Sequence, residues 1–121
     1  MKGYPPFGAT DVDIYIKRKN FRETLAGDIS KRRAAMLAVT QRPLSLAAAS
    51  APTTAAAWKT IPSWYLLGTK DRTITPAAQR HMSERADATI KRVKASHLSL
   101  ISRPREVAKL IRQAVAATGK G

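Results

Sequence analysis

The sequence predicts an α/β protein whose second half is a βαβα unit with parallel strands, preceded by a mainly helical segment. Three observations carry this. Residues 63–67 form a compact apolar run between Pro62 and Gly68, as a strand covered on both faces reads. Residues 88–93 give a second strand pattern one helix length later, interrupted by Lys91 and Arg92. After that, Val107, Leu110, Ile111, Ala114 and Val115 fall at i, i+3, i+4, i+7 and i+8, one apolar stripe of a helix. The order strand, helix, strand, helix implies a parallel pair joined by a right-handed crossover.

Residues 1–10 are rich in Gly and Pro and read as a loop. Over residues 12–17, Val12, Ile14 and Ile16 alternate with Asp13 and Tyr15, a short strand pattern. Residues 20–26 suit one or two helical turns ended by Gly27. Asp28 or Ser30 then caps a second helix with Ala35, Met36 and Val39 on its apolar face, and Arg42-Pro43 stops it. Residues 44–57 are alanine-rich and broken by Pro52, with no clear period. In the second half, Thr75 caps a helix with Pro76 in its first turn, where a missing N–H costs nothing, running to about Arg85. A loop is expected over 94–102. Pro104 opens the last helix, with Glu106 in its first turn and Gly119 just past its end.

Length fits one small domain, and 44% hydrophobic content is enough for a core, though alanine supplies much of it and aromatics only 6%. Without cysteine there are no disulfides or thiolate metal sites, which fits a reducing cytoplasm. Residues 1–7 lack a signal-peptide core and no run reaches membrane-span length, so the expectation is a cytoplasmic chain with no membrane partner. The net charge of +14 divides into +5 over residues 1–57 and +9 over 58–121, so neither half is a basic tail. The longest basic runs, Lys17-Arg18-Lys19 and Lys31-Arg32-Arg33, have no interleaved aromatics to stack bases. They read as solvated faces, with no specific nucleic acid expected. A small basic nucleic-acid-binding protein is the alternative class.

In parallel sheets, functional groups gather beyond the carboxyl ends of the strands. Asp71 lies three residues past Gly68, and His97 four residues past Val93. Adjacent parallel strands are about 4.8 Å apart, so the two loops bring a carboxylate and an imidazole within hydrogen-bond reach. Each residue has a plainer reading: Asp71 as a turn residue after a strand, His97 as a loop histidine.

Residues 61–76, Ile-Pro-Ser-Trp-Tyr-Leu-Leu-Gly-Thr-Lys-Asp-Arg-Thr-Ile-Thr-Pro, resemble the late strand and acid loop of α/β-hydrolases. Residues 95–104, Ala-Ser-His-Leu-Ser-Leu-Ile-Ser-Arg-Pro, followed by Glu106-Val107-Ala108, resemble that family's histidine loop and final helix. The separation of 26 from Asp71 to His97 leaves room for the one helix and one strand found there in the family. Upstream, Asp13 to Ile16, Phe21 and the run Met36 to Pro43 resemble the cap segment of a bacterial esterase-like subgroup. The resemblance implies a partial α/β-hydrolase fold, with a cap-like segment over 1–57 and the C-terminal part of the core over 58–121. It implies a Ser-His-Asp triad acting on small esters, in which Asp71 orients His97 and His97 serves as general base and acid. No metal or organic cofactor is required.

One part of the family pattern is missing. No G-x-S-x-G occurs in these 121 residues, and Ser63, Ser96, Ser99 and Ser102 lie on no glycine-bracketed elbow. The expectation is therefore a chain inactive alone, completed by an N-terminal half or self-associating through unpaired strand edges. His81 is expected to be exposed on a polar helix, and Trp58 and Trp64 to be packing residues. Tyr15 and Phe21 either line a cap over the pocket or make a core contact. No P-loop or dinucleotide fingerprint is present.

Overall fold

In the computed structural model, which describes residues 11–119, the two halves of the sequence build two small sheets of different kinds. The loop expected at 1–10 lies outside the described residues. In the first half, strand β1 (Asp13–Ile14) pairs antiparallel with β2 (Leu44–Ser45), and between them lie helices α1 (Arg18–Leu25) and α2 (Lys31–Thr40). Helix α3 (Leu46–Ser50) follows at once, then a single 3-10 turn at Ala57–Lys59. The first half is thus mainly helical, as expected.

Two details differ from the sequence pattern. The strand expected over 12–17 shrinks to two residues, because the side chain of Gln41 takes over its pairing. Gln41 Oε1 accepts from the Ile16 N–H at 3.1 Å, and its Nε2 donates to the Ile16 carbonyl at 2.9 Å. Helix α2 also turns a different face inward. Its Ser30 cap forms, the hydroxyl accepting from Arg33 N. Ala34 and Ala38 are buried with Leu37 half-buried beside them, while Ala35, Met36 and Val39 face outward, Met36 at 60% exposure. Two alanines four residues apart allow close approach to Phe21 of α1, and that contact outweighs the larger side chains on the other face.

The second half follows the expected order closely. Strand β3 (Trp64–Gly68) runs parallel to β4 (Thr89–Val93), with Trp64 opposite Thr89 and Gly68 opposite Val93. Helix α4 (Pro76–Arg85) makes the crossover, capped by the Thr75 hydroxyl accepting from Ala78 N. It ends in a tight turn in which Asp87 N donates to Glu84 O and Ala88 N to Ser83 O, and Asp87 takes the left-handed conformation (φ 48°) that this ending needs. The loop expected at 94–102 contains a helical turn, α5 (Ser99–Ser102), before α6 (Pro104–Thr118). On α6 only Leu110 is buried. Val107 and Ala114 are half-buried, and Ile111 and Val115, expected on the same covered stripe, are exposed. A two-stranded sheet is too narrow to cover the whole stripe of a 15-residue helix.

The halves meet at the site. Phe21, Ala26, Ile29, Ala34 and Ala38 form one buried cluster, and Leu98 and Ile101, from the segment after His97, pack against it. Among the described residues no helix is long and apolar enough to cross a membrane.

Candidate active site

Gly68 ends β3 with its backbone close against the chain leading to His97. A Cβ there would lie 3.1 Å from the Ala95 carbonyl oxygen and 3.4 Å from that of Ser96, so glycine lets the two loops approach. Lys70 N donates to Ala95 O at 3.0 Å and Thr69 N to Val93 O at 2.9 Å, stitching the loops together just beyond the sheet.

Asp71 sits in this junction, 8% exposed. Its Oδ1 accepts from the N–H groups of Thr73 (2.8 Å) and Ile74 (3.0 Å), the plain turn role that a carboxylate plays after a strand. Its Oδ2 accepts from Gln79 Nε2 at 3.0 Å and lies 2.8 Å from His97 Nδ1. A carboxylate offers only acceptors here, so the neutral imidazole carries its proton on Nδ1 and leaves Nε2 with a free lone pair. The His97 side chain is 32% exposed, and its Nε2 has no hydrogen-bond partner among the described residues. The structure therefore brings together the two residues singled out from sequence, at strand ends 26 positions apart. Burial pushes the Tyr65 phenol above its ordinary value, and the charge of Asp71 adds to that shift.

Residues 23–28, at the end of α1 and in the turn after it, hold both loops from the other side. The Thr24 carbonyl accepts from Thr73 Oγ1 at 3.0 Å, the Leu25 carbonyl from Leu98 N at 3.2 Å, and Glu23 pairs with Arg72 at 2.8 Å in an exposed ion pair. Ser96, immediately before His97, donates its hydroxyl to Asp28. Burial opposes ionisation of Asp28, but hydrogen bonds from the Ser96 hydroxyl and from backbone outweigh it. The Ser102 hydroxyl lies near enough to add to them, although it meets no partner at full hydrogen-bond geometry. The net effect holds the Asp28 carboxyl below its ordinary 3.8.

A depressed folded-state value places the stability from this contact above the unfolded pKa and removes it as pH falls through the folded one. The difference in melting temperature between wild type and Asp28→Asn should hold constant above about pH 5 and shrink below about pH 4. A difference that grows on acidification would contradict the assignment.

Sequence reading missed Gln79 altogether, and took Asp28 only as a possible helix cap and Ser96 only as an available hydroxyl, not as the pair they form. Gln79 is 3% exposed and Ser96 2%, yet each is a polar residue beside charged or small neighbours, with no apolar period to mark it as inward-facing. The four serines considered as nucleophiles are placed elsewhere. Ser96 is committed to Asp28, Ser63 Oγ donates to Ile61 O, and neither Ser99 nor Ser102 bonds to His97. His81 is exposed on α4, and the described residues contain no cluster of three metal-ligating side chains. Trp58 and Trp64 are half-buried, with Arg85 stacked 5.9 Å above the Trp58 ring. Phe21 is a core residue and Tyr15 is exposed. Both basic triplets are exposed, one leading into α1 and the other opening α2.

The family model of the alpha/beta hydrolase family matches residues 1–110. Among curated proteins, none matches the chain.

Proposed function

The chain belongs to the α/β-hydrolase family, and from that membership we propose that it carries the acid and the base of a serine esterase for small esters, whose nucleophile lies outside these 121 residues. The observation that supports this most is the 2.8 Å contact between Asp71 Oδ2 and His97 Nδ1 at the carboxyl ends of neighbouring parallel strands. With Nδ1 protonated toward the carboxylate, Nε2 accepts the proton of an attacking serine hydroxyl. The serine oxygen bonds the ester carbonyl carbon, and the imidazolium returns the proton to the leaving alcohol. Water repeats the sequence on the acyl-enzyme and frees the acid. Asp71 keeps the imidazole in the productive tautomer and stabilises its charge in between. No metal or organic cofactor enters these steps.

The surface is in keeping with a chain that docks onto more of the same domain. Among the described residues only β4 pairs with β3, leaving the other edge of each strand open, and Val12, Met36, Val39, Leu100, Ile111 and Val115 are each more than half exposed. The occupant in this reading is the part of the domain bearing the first strands and the G-x-S-x-G elbow.

Purified chain should show no turnover of nitrophenyl esters. Co-production with a polypeptide encoded upstream that carries a strand followed by G-x-S-x-G should give hydrolysis that His97→Ala removes. Turnover by the 121-residue chain alone that His97→Ala abolishes would refute the external nucleophile. A co-purified, elbow-bearing complex that hydrolyses no ester would refute the esterase reading.

A further inference from the structure

We infer that Gln79 is a positioning residue for the acid–base pair: its carboxamide fixes Asp71 Oδ2 and thereby selects the tautomer of His97. The inference rests on the reading of Asp71 and His97 as acid and base. Gln79 lies on α4, three residues past Pro76, with its side chain directed at the end of β3. Its Oε1 accepts from Gly68 N at 3.0 Å. Its Nε2 donates to Ile74 O at 2.7 Å and to Asp71 Oδ2 at 3.0 Å, with Gly68 O more distant at 3.4 Å. Two amide hydrogens thus serve the two near acceptors, and the amide oxygen serves the one donor.

The orientation of this amide is settled by its neighbours. Turned over, its oxygen would face the Asp71 carboxylate and the Ile74 carbonyl, three acceptors together, while its NH2 would meet the Gly68 N–H. Only a side chain with an acceptor on one side and two donors on the other satisfies the site, and at this length that is glutamine. Buried polar groups left half-satisfied are costly, so the arrangement is strongly preferred.

The consequence for His97 follows from which oxygen is held. Thr73 and Ile74 anchor Oδ1, but two bonds to one oxygen leave the carboxylate free to tilt about that point. Gln79 supplies the second anchor, and it does so on Oδ2, the oxygen facing Nδ1. With both oxygens fixed, the acceptor stays opposite Nδ1 and Nδ1–H is the favoured form. Gln79 makes no hydrogen bond to His97, and acts through Asp71.

The test reads the tautomer directly, in the 121-residue chain with 15N-labelled histidine at a pH where imidazole is neutral. His81, exposed on the same helix, is an internal reference. Wild type should show the Nδ1–H form at His97. Gln79→Leu removes all four contacts. Gln79→Glu, with an ionised side chain, keeps an acceptor for Gly68 N but replaces the donor to Oδ2 with an acceptor. In each variant that keeps the wild-type amide fingerprint of β3 and α4, the ratio of Nδ1–H to Nε2–H at His97 should fall about tenfold, the shift expected from one lost hydrogen bond. An unchanged ratio in either folded variant overturns the inference, and so does collapse of β3 and α4 in both, because the amide's role is then structural. This readout needs no nucleophile. If an assembled enzyme hydrolyses no ester while the His97 tautomer still follows Gln79, the esterase reading falls and the positioning role stands.

Discussion

On the proposed triad, Asp71→Asn in a complex with an elbow-bearing half should lower kcat about 10⁴-fold with little change in KM, the size of effect seen when a triad acid becomes an amide. The geometry says why the loss should be that large. Oδ1 receives two backbone N–H groups, from Thr73 and Ile74. An asparagine that placed its NH2 there would set it against both donors, so its oxygen must take that position. The NH2 is then forced into the place of Oδ2, facing His97 Nδ1 and Gln79 Nε2. Nδ1 can meet an NH2 only as an acceptor, which moves the imidazole proton to Nε2, where the serine proton must go. Little change in KM is expected because Asp71 is 8% exposed and its carboxylate is fully engaged by Thr73, Ile74, Gln79 and His97. The measurement is kcat and KM for a nitrophenyl ester across pH, beside His97→Ala. A drop of less than about tenfold in kcat would mean the carboxylate does not set the tautomer, and the triad assignment would fail with it.

The residues at issue in that prediction were largely readable from the sequence. Strand β3 announced itself by the compact apolar run ending at Gly68, α4 by Thr75-Pro76, and the parallel order by the lengths between them. Both loops follow from strand ends, and strand ends place Asp71 and His97. The parts that were not readable share a physical cause: a side chain doing what the pattern assigns to backbone or to apolar packing. Gln41 pairs with Ile16 as a strand would, and so ends β1 early. Gln79 and Ser83 form the buried face of α4, a polar face that hydrophobic periodicity cannot find. On α2 the deciding quantity was size. Alanine at 34 and 38 lets helices approach, and a scale that ranks Met36 and Val39 as more apolar chooses the wrong face. The hold of residues 23–28 on both loops joins positions 49 and 68 apart, and no local pattern carries such a pairing.

Leu67→Ala should unfold the isolated chain at 25 °C, whereas Met36→Ala should leave its stability within about 0.5 kcal/mol of wild type. Among the described residues nine apolar side chains are buried, and four of those are alanines, so the larger ones carry most of the burial. Leu67 is 1% exposed and, among the described residues, is the one large apolar side chain that is fully buried. Truncating a leucine in such a position costs about 2–5 kcal/mol, the lost transfer energy plus the cavity left behind. A chain of this size whose described residues form two two-stranded sheets with open strand edges and an alanine-rich core has no more than a few kcal/mol to lose. Met36 is nearly as large but 60% exposed, so the contrast separates burial from hydrophobicity. Urea titrations followed by near-ultraviolet circular dichroism check both arms. Wild type should unfold at low urea, Met36→Ala with it, and Leu67→Ala should show no native baseline. A Leu67→Ala chain that keeps a cooperative transition near the wild-type midpoint would show that stability comes from somewhere other than this core. The open edges of β3 and β4, closed by association of copies, would then be the first place to look, and a concentration dependence of the midpoint would reveal it.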